Sequence, residues 1–302
     1  IHRRCHAQLS QKIEEVTSNA PQSVVIACTG PSLGLIEHAD LAGSVRIACN
    51  SIVQSDRLMH AIDPQFLTSG DVISHYGISK YAEVYRNDLA RRLHESDRFL
   101  VTTDEFGFLF LIQHPELTDQ IILVPQRRDR KTSTNLLSDY QLPVLDSTLN
   151  IHMLPLAATI GKQIYLFGCD GMSPIKIQNE DFWEHCTDAQ YHELVQTGHE
   201  CHPTFAPKRA ETTHDRYIQS TATSLNAIES HGIFCATVTP SYTPPLASRL
   251  LESPLNSDAR PRLARCKASH YHIQSNSGQT QCAWTSLHDE SILVTLAPTD
   301  SL

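Results

Sequence analysis

The chain has 302 residues, enough for one large α/β domain or two smaller ones. Hydrophobic residues make up 40% and charged residues 19%, an ordinary globular balance, and the formal net charge is −9. That acidic balance argues against a general nucleic-acid or anionic-membrane binder and leaves room only for a local basic patch on a phosphate.

Residues 1–20 are polar with a weak helical pattern and read as an N-terminal helical extension. Short apolar runs then recur at 23–28, 45–49, 65–68, 98–102, 120–124, 163–167 and 233–238. Each is four to six residues long and rich in β-branched or aromatic residues, as a buried strand is. Amphipathic stretches separate most of them. Continuous apolar strands alternating with helices predict a Rossmann-like α/β fold, a mostly parallel sheet with helices on both faces. The pattern breaks at 171–213, a polar segment rich in His and aromatics that reads as a small helical lid inserted beside the sheet. The main domain is expected over 21–250, and 251–302 reads as a Ser/Asn/Asp-rich tail with little apolar patterning before Ile292.

The nine cysteines are scattered, odd in number and without a CxxC pair, which suits free thiols in a reducing compartment. No leader-like run or 18-residue apolar stretch is present, so a cytoplasmic protein, peripheral at most at the inner membrane, is expected. Ile1 in place of Met suggests a piece of a longer chain, and a homo-oligomer stays equally open.

In parallel sheets, ligands gather at the carboxyl ends of strands. The first run stops sharply at Thr29-Gly30-Pro31-Ser32. Glycine lets a backbone approach closely, Pro31 suits a helix start, and free N–H groups there favour an anion. A plain strand exit explains the same residues. Asn50, after the second run, can read a base edge or cap a turn. Asp71 follows the third run, where a cap is the commoner role. Ser147 and Thr148 precede a small-residue helical stretch, and Asp170 ends "IYLFGCD". If the sheet is parallel, all of these share one edge.

Helical spacing over Tyr217, Ile218, Thr221, Ala222, Leu225 and Ile228, with Thr212 and Asp215 as a capping box, puts His214 in a first helical turn. A positive helix end keeps an imidazole neutral and able to accept a proton. A surface histidine is the plainer alternative. His185, His192 and His199 are seven residues apart, with Cys186, Cys201 and His202 nearby. The spacing is not that of metal ligands, and a solvated lid helix with no metal is expected. Arg127, Arg128, Arg130 and Lys131 form a basic run, by default a solvated loop. Phe182 and Trp183 either pack the lid or stack on a sugar.

"IACTGPSLGLIE", "ACNS", "DSTLNIHMLPLAATIGKQIYLFGCD" and "THDRYIQSTATSLNAIESHGIFCATVTPSYTPPL" resemble, in order and spacing, the bacterial sialyltransferases of the Campylobacter and Pasteurellaceae type, and their wider motility accessory factor relatives. The resemblance spans residues 21–250. It implies an inverting transfer of a sialic acid-like sugar from a CMP-activated donor to a hydroxyl of a glycan or glycolipid. It implies nucleotide binding by Thr29, Gly30, Pro31, Ser32, Asn50, Ser147, Thr148 and Asp170, with His214 as general base and no cofactor. The family's first-turn Asn is Thr29 here, and its phosphate-binding Tyr is Met172. Tyr191, Lys208 or Arg209 are the candidates to hold the phosphate instead. A pterin pyrophosphokinase-like enzyme using ATP and Mg²⁺, with Asp71 and Asp170 near the phosphates, is the alternative. A non-catalytic nucleotide-binding module is a third.

Overall fold

A computed structural model describes residues 1–18, 23–128, 131–172, 184–201 and 210–251. Seven strands form one sheet: β1 (Ser23–Ala27), β2 (Ser44–Cys49), β3 (Phe66–Ser69), β4 (Phe99–Thr103), β5 (Ile121–Val124), then β8 (Gln163–Phe167) and β9 (Phe234–Thr237). All seven coincide with the apolar runs to within two residues at each end. The order is β5-β4-β3-β2-β1-β8-β9, and every pairing is parallel. Every residue of β1, β3 and β5 is buried, so both faces of the sheet are covered.

Helices connect the strands. Helix α1 (His2–Thr17) packs on β5 and sinks Cys5, Leu9 and Ile13 into the common core. A 3₁₀ segment, Pro31–His38, follows β1. Helix α2 (Asp56–Ile62) is capped by Ser55, whose side chain accepts from the Leu58 N–H. Helices α3 (Val72–Tyr76) and α4 (Lys80–His94) lie between β3 and β4, and α5 (Asp104–Gln113) lies between β4 and β5. A two-residue parallel pair, β6 (Gln126–Arg127) with β7 (Leu142–Pro143), was not expected. It absorbs Arg127 from the basic run, and Arg127 and Arg128 are exposed.

The small-residue stretch opens with a π turn, Leu149–Met153, and continues as α6 (Leu154–Ile160). Within the expected lid, a 3₁₀ turn (Thr187–Ala189) and α7 (Val195–Cys201) are described. They are tied down from three sides. The Cys186 N–H donates to the Thr29 carbonyl at 2.7 Å, Ser51 Oγ donates to the Ala189 carbonyl, and the Tyr81 N–H donates to Thr197 Oγ1 at 3.2 Å. Helix α8 (Ala210–Glu229) leads to β9, and α9 (Pro244–Ala247) follows. Because α8 is already helical at Ala210, His214 lies beyond the turn that opens at that residue. Phe182, Trp183, His202, Lys208, Arg209 and the tail from 252 lie outside the described residues. Among the described residues, no helix is long and apolar enough to cross a membrane.

Candidate functional site

Strand β1 is where the order reverses: β2 to β5 run outward on one side, β8 and β9 on the other. The carboxyl ends of β1 and β8 therefore flank a crevice, the place where an open parallel sheet holds a ligand. A cavity of about 930 Å³ lies there. Thr29, Gly30, Asn50, Asp71, Ser147, Thr148 and Asp170 all line it. Pro31, Ser32, Tyr191 and His214 are not among its lining residues.

Asn50 sits at φ 50°, a left-handed conformation that Asn tolerates better than most residues. Its amide donates to Thr148 Oγ1 at 3.3 Å, joining the ends of β2 and the π turn. Ser147 Oγ accepts from the Asn150 N–H at 3.2 Å and so starts the π turn. Asn150 is fully buried and donates to Ser220 Oγ and Thr221 Oγ1 at 3.0 and 2.9 Å, which pins that turn to α8. Asp71 caps α3, accepting from the Ile73 and Ser74 N–H groups at 2.9 and 2.8 Å.

The turn after β1 differs from an anion cradle for a ligand. The Ser32 N–H donates to both Asp170 carboxylate oxygens, at 3.1 and 3.2 Å, and Ser32 Oγ donates at 2.8 Å. The Gly30 N–H donates to the Gly168 carbonyl at 2.8 Å. A Cβ on Gly30 would stand 2.2 Å from Asp170 Oδ2 and 2.5 Å from the Gly168 oxygen. Gly30 is thus required by the chain's own carboxylate.

The chain is similar to solved structures of the Campylobacter jejuni sialyltransferase CstII. With the substrate analogue CMP-3FNeuAc, that enzyme is 14% identical over 86% of this chain and 93% of its own, at a TM-score of 0.37. With cytidine-5'-monophosphate the figures are 14%, 78% and 87%, at 0.43. A CST-II structure with a trisaccharide acceptor and CMP is 15% identical over 88% and 96%, at 0.40. No protein-family model matches the sequence, and no curated protein does.

Burial governs the electrostatics of the cavity wall. Asp170 is pushed up to about 7 by burial, against the Ser32 bonds that lower it. His75, His185, His192 and His199 all face the cavity. Burial first, then these neighbouring imidazoles, bring His185 down to about 4. Among the described residues, no three His, Cys, Asp or Glu side chains form a group able to hold a metal ion. Burial also lowers His214, which favours its neutral form.

Tyr191 is committed elsewhere. Its hydroxyl donates to Asp88 Oδ2 at 2.8 Å and its ring meets Tyr81 edge-on at 5.2 Å. A phosphate contact from Tyr191 would break that tether. Tyr81, His75 and Tyr217 were missed as wall residues. Tyr217 was legible as a position, because it stands three residues after His214 and so shares its helix face.

Proposed function

We propose that this protein is a glycosyltransferase that moves a sialic acid-like sugar from a CMP-activated donor to a hydroxyl of a glycan or glycolipid acceptor. The observation that carries the reading is the cavity at the β1/β8 crossing, where polar groups from four strand ends and the π turn converge. Its volume lies in the range of small-molecule sites. In this reading Asn50, Ser147 and Thr148 hold the base and ribose. The described lid residues, anchored to Thr29 and Ser51, limit access of water to the donor.

His214 is the proposed general base. It is half-buried, its burial favours the neutral imidazole, and it shares a helix face with the wall residue Tyr217. It would take the acceptor proton while the acceptor oxygen displaces the nucleotide from the anomeric carbon with inversion. The phosphate contact falls to cavity groups other than the Ser32 N–H, which is already bonded to Asp170. Lys208 and Arg209 remain proposals from the sequence.

The pyrophosphokinase reading would need Asp71 and Asp170 free to hold Mg²⁺ near the phosphates. Here Asp71 caps α3 and Asp170 accepts from Ser32, which favours the transferase. Thermal-shift titration with CMP, CDP, UDP and ATP, with and without Mg²⁺, separates the two. Cytidine nucleotides should stabilise the chain without Mg²⁺, whereas Mg²⁺-dependent stabilisation by ATP alone would reverse the choice. His214→Ala should abolish transfer and leave donor affinity within about twofold. Wild-type turnover in that variant, or no turnover of any nucleotide sugar by the native chain, would sink the assignment.

A further inference from the structure

Three thiols meet on the floor of the cavity. Cys28 follows β1, Cys49 ends β2 and Cys169 follows β8, and all three line the cavity. Ala27 pairs with Ala48 in parallel register, so the next residues, Cys28 and Cys49, stand side by side. On the other side Ala27 pairs with Phe167, and Gly168 at φ 65° turns the chain into Cys169. Cys28 Sγ donates to Met153 Sδ at 3.8 Å, and Cys169 Sγ donates to the Phe167 carbonyl at 3.6 Å. Cys28 is half-buried, whereas Cys49 and Cys169 are buried. Sugar transfer uses none of these sulfurs.

We propose that Cys28 is an oxidative modification site, reached through the cavity by small hydroperoxides and resolved by the thiols beside it. The site depends on the cavity being open and not on which ligand fills it.

The chemistry follows from the arrangement. The neighbouring thiols of Cys169 and Cys49 favour the Cys28 thiolate and bring it down to about 5, and the same proximity with burial pushes Cys49 and Cys169 up. The thiolate attacks one peroxide oxygen. An S–O bond forms, the O–O bond breaks, sulfur loses two electrons to the peroxide, and the departing hydroxide (an alkoxide from an organic hydroperoxide) takes a proton to leave as water or an alcohol. Cys28 is then a sulfenic acid. Attack by the Cys169 or Cys49 sulfur forms an S–S bond and releases water. Either product fills the cavity floor.

The full chain, alkylated with iodoacetamide at pH 6 and pH 8 and digested for peptide mass mapping, tests this. The exposed Cys201 serves as the internal comparison. Cys28 should react at least about tenfold faster than Cys201 at pH 6, where an ordinary thiol is almost fully protonated. After hydrogen peroxide, Cys28 should carry dimedone or be joined to Cys169 or Cys49. A Cys28 that reacts no faster than Cys201 at pH 6 and stays reduced in peroxide overturns the proposal. Cys169→Ala should move the pH midpoint of Cys28 alkylation upward, and an unchanged midpoint in the folded variant also overturns it. Should that variant fail to fold, the native pH profile decides. CMP present during alkylation separates the two readings. Fast Cys28 labelling that no nucleotide slows upholds the thiol site and counts against the nucleotide assignment.

Discussion

Ser32 and Asp170, 138 residues apart in sequence, close on each other through the Ser32 N–H and hydroxyl, the latter at 2.8 Å from Oδ2. The start of the Pro31–His38 segment attracts an anion for the reasons any helix start does. The chain supplies the acceptor itself, the Asp170 carboxyl. This joins the ends of β1 and β8 beneath the cavity and leaves the Ser32 N–H committed within the chain.

Gly30→Ala should therefore destabilise the fold before it affects any ligand. Its Cβ would meet the Gly168 carbonyl at 2.5 Å, and backbone cannot move aside as a side-chain tip does. A loss of about 1–3 kcal/mol is expected, seen as a lower urea midpoint. Combining it with Asp170→Ala should not restore stability, since the backbone contact remains.

Asp170 makes stability depend on pH in a definite direction. Its pKa in the fold, about 7, lies above the ordinary aspartate value of 3.8. The folded chain thus keeps a proton that the unfolded chain releases between those values. The contribution is full below about pH 4 and is lost as pH rises through about 7. Asp170→Asn should flatten that slope, measured by urea denaturation at pH 5, 6, 7 and 8, while an unchanged slope contradicts the assignment.

His152 has the opposite sign. It is fully buried, neither ring nitrogen has a hydrogen-bond partner among the described residues, and burial lowers it to about 3. Its contribution is present above about pH 6.5 and is lost as pH falls toward 3. His152→Leu should cost less than about 1.5 kcal/mol at pH 7, because an apolar group replaces an unpaired polar one of similar size. The variant should unfold less readily than the native chain at pH 5. Greater acid lability in circular-dichroism melts would refute this.

Tyr191→Phe should loosen the lid and spare the core. It removes the bond to Asp88, a change of about 0.5–1.5 kcal/mol felt mostly by residues 184–201. Amide exchange in that segment should quicken several-fold, while β1 and β8 keep their protection. Uniform quickening throughout the sheet would instead mark Tyr191 as a core residue.

The strands were legible because a strand buried on both faces reads as an unbroken apolar run closed by turn residues, as at "SVVIAC" and "QIYLF". Parallel pairing of those runs puts Asn50, Ser147, Thr148 and Asp170 at one edge from the sequence alone. The Asp170–Ser32 bond was not legible, because nothing local marks two residues that far apart as partners. The Tyr191–Asp88 bond is hidden for a related reason: Asp88 lies on α4, remote in sequence. The β6–β7 pair is too short to leave a periodic pattern. The histidine wall joins His75 on α3 with His185, His192 and His199, and that depends on how the lid settles on the sheet.

The strand order also bears on how the chain reaches this state. Ser23 lies beside Gln163, so β1 cannot acquire its second neighbour until the polypeptide has been made through β8. Contacts of such wide separation close slowly. Until they close, the open edge of β1 presents unpaired N–H and C=O groups beside Val24, Val25 and Ile26, and a second nascent chain can add there. The β1–β8 seam beneath the cavity closes late, with only the β8–β9 pair still to follow, and recovery on refolding should fall with protein concentration for that reason.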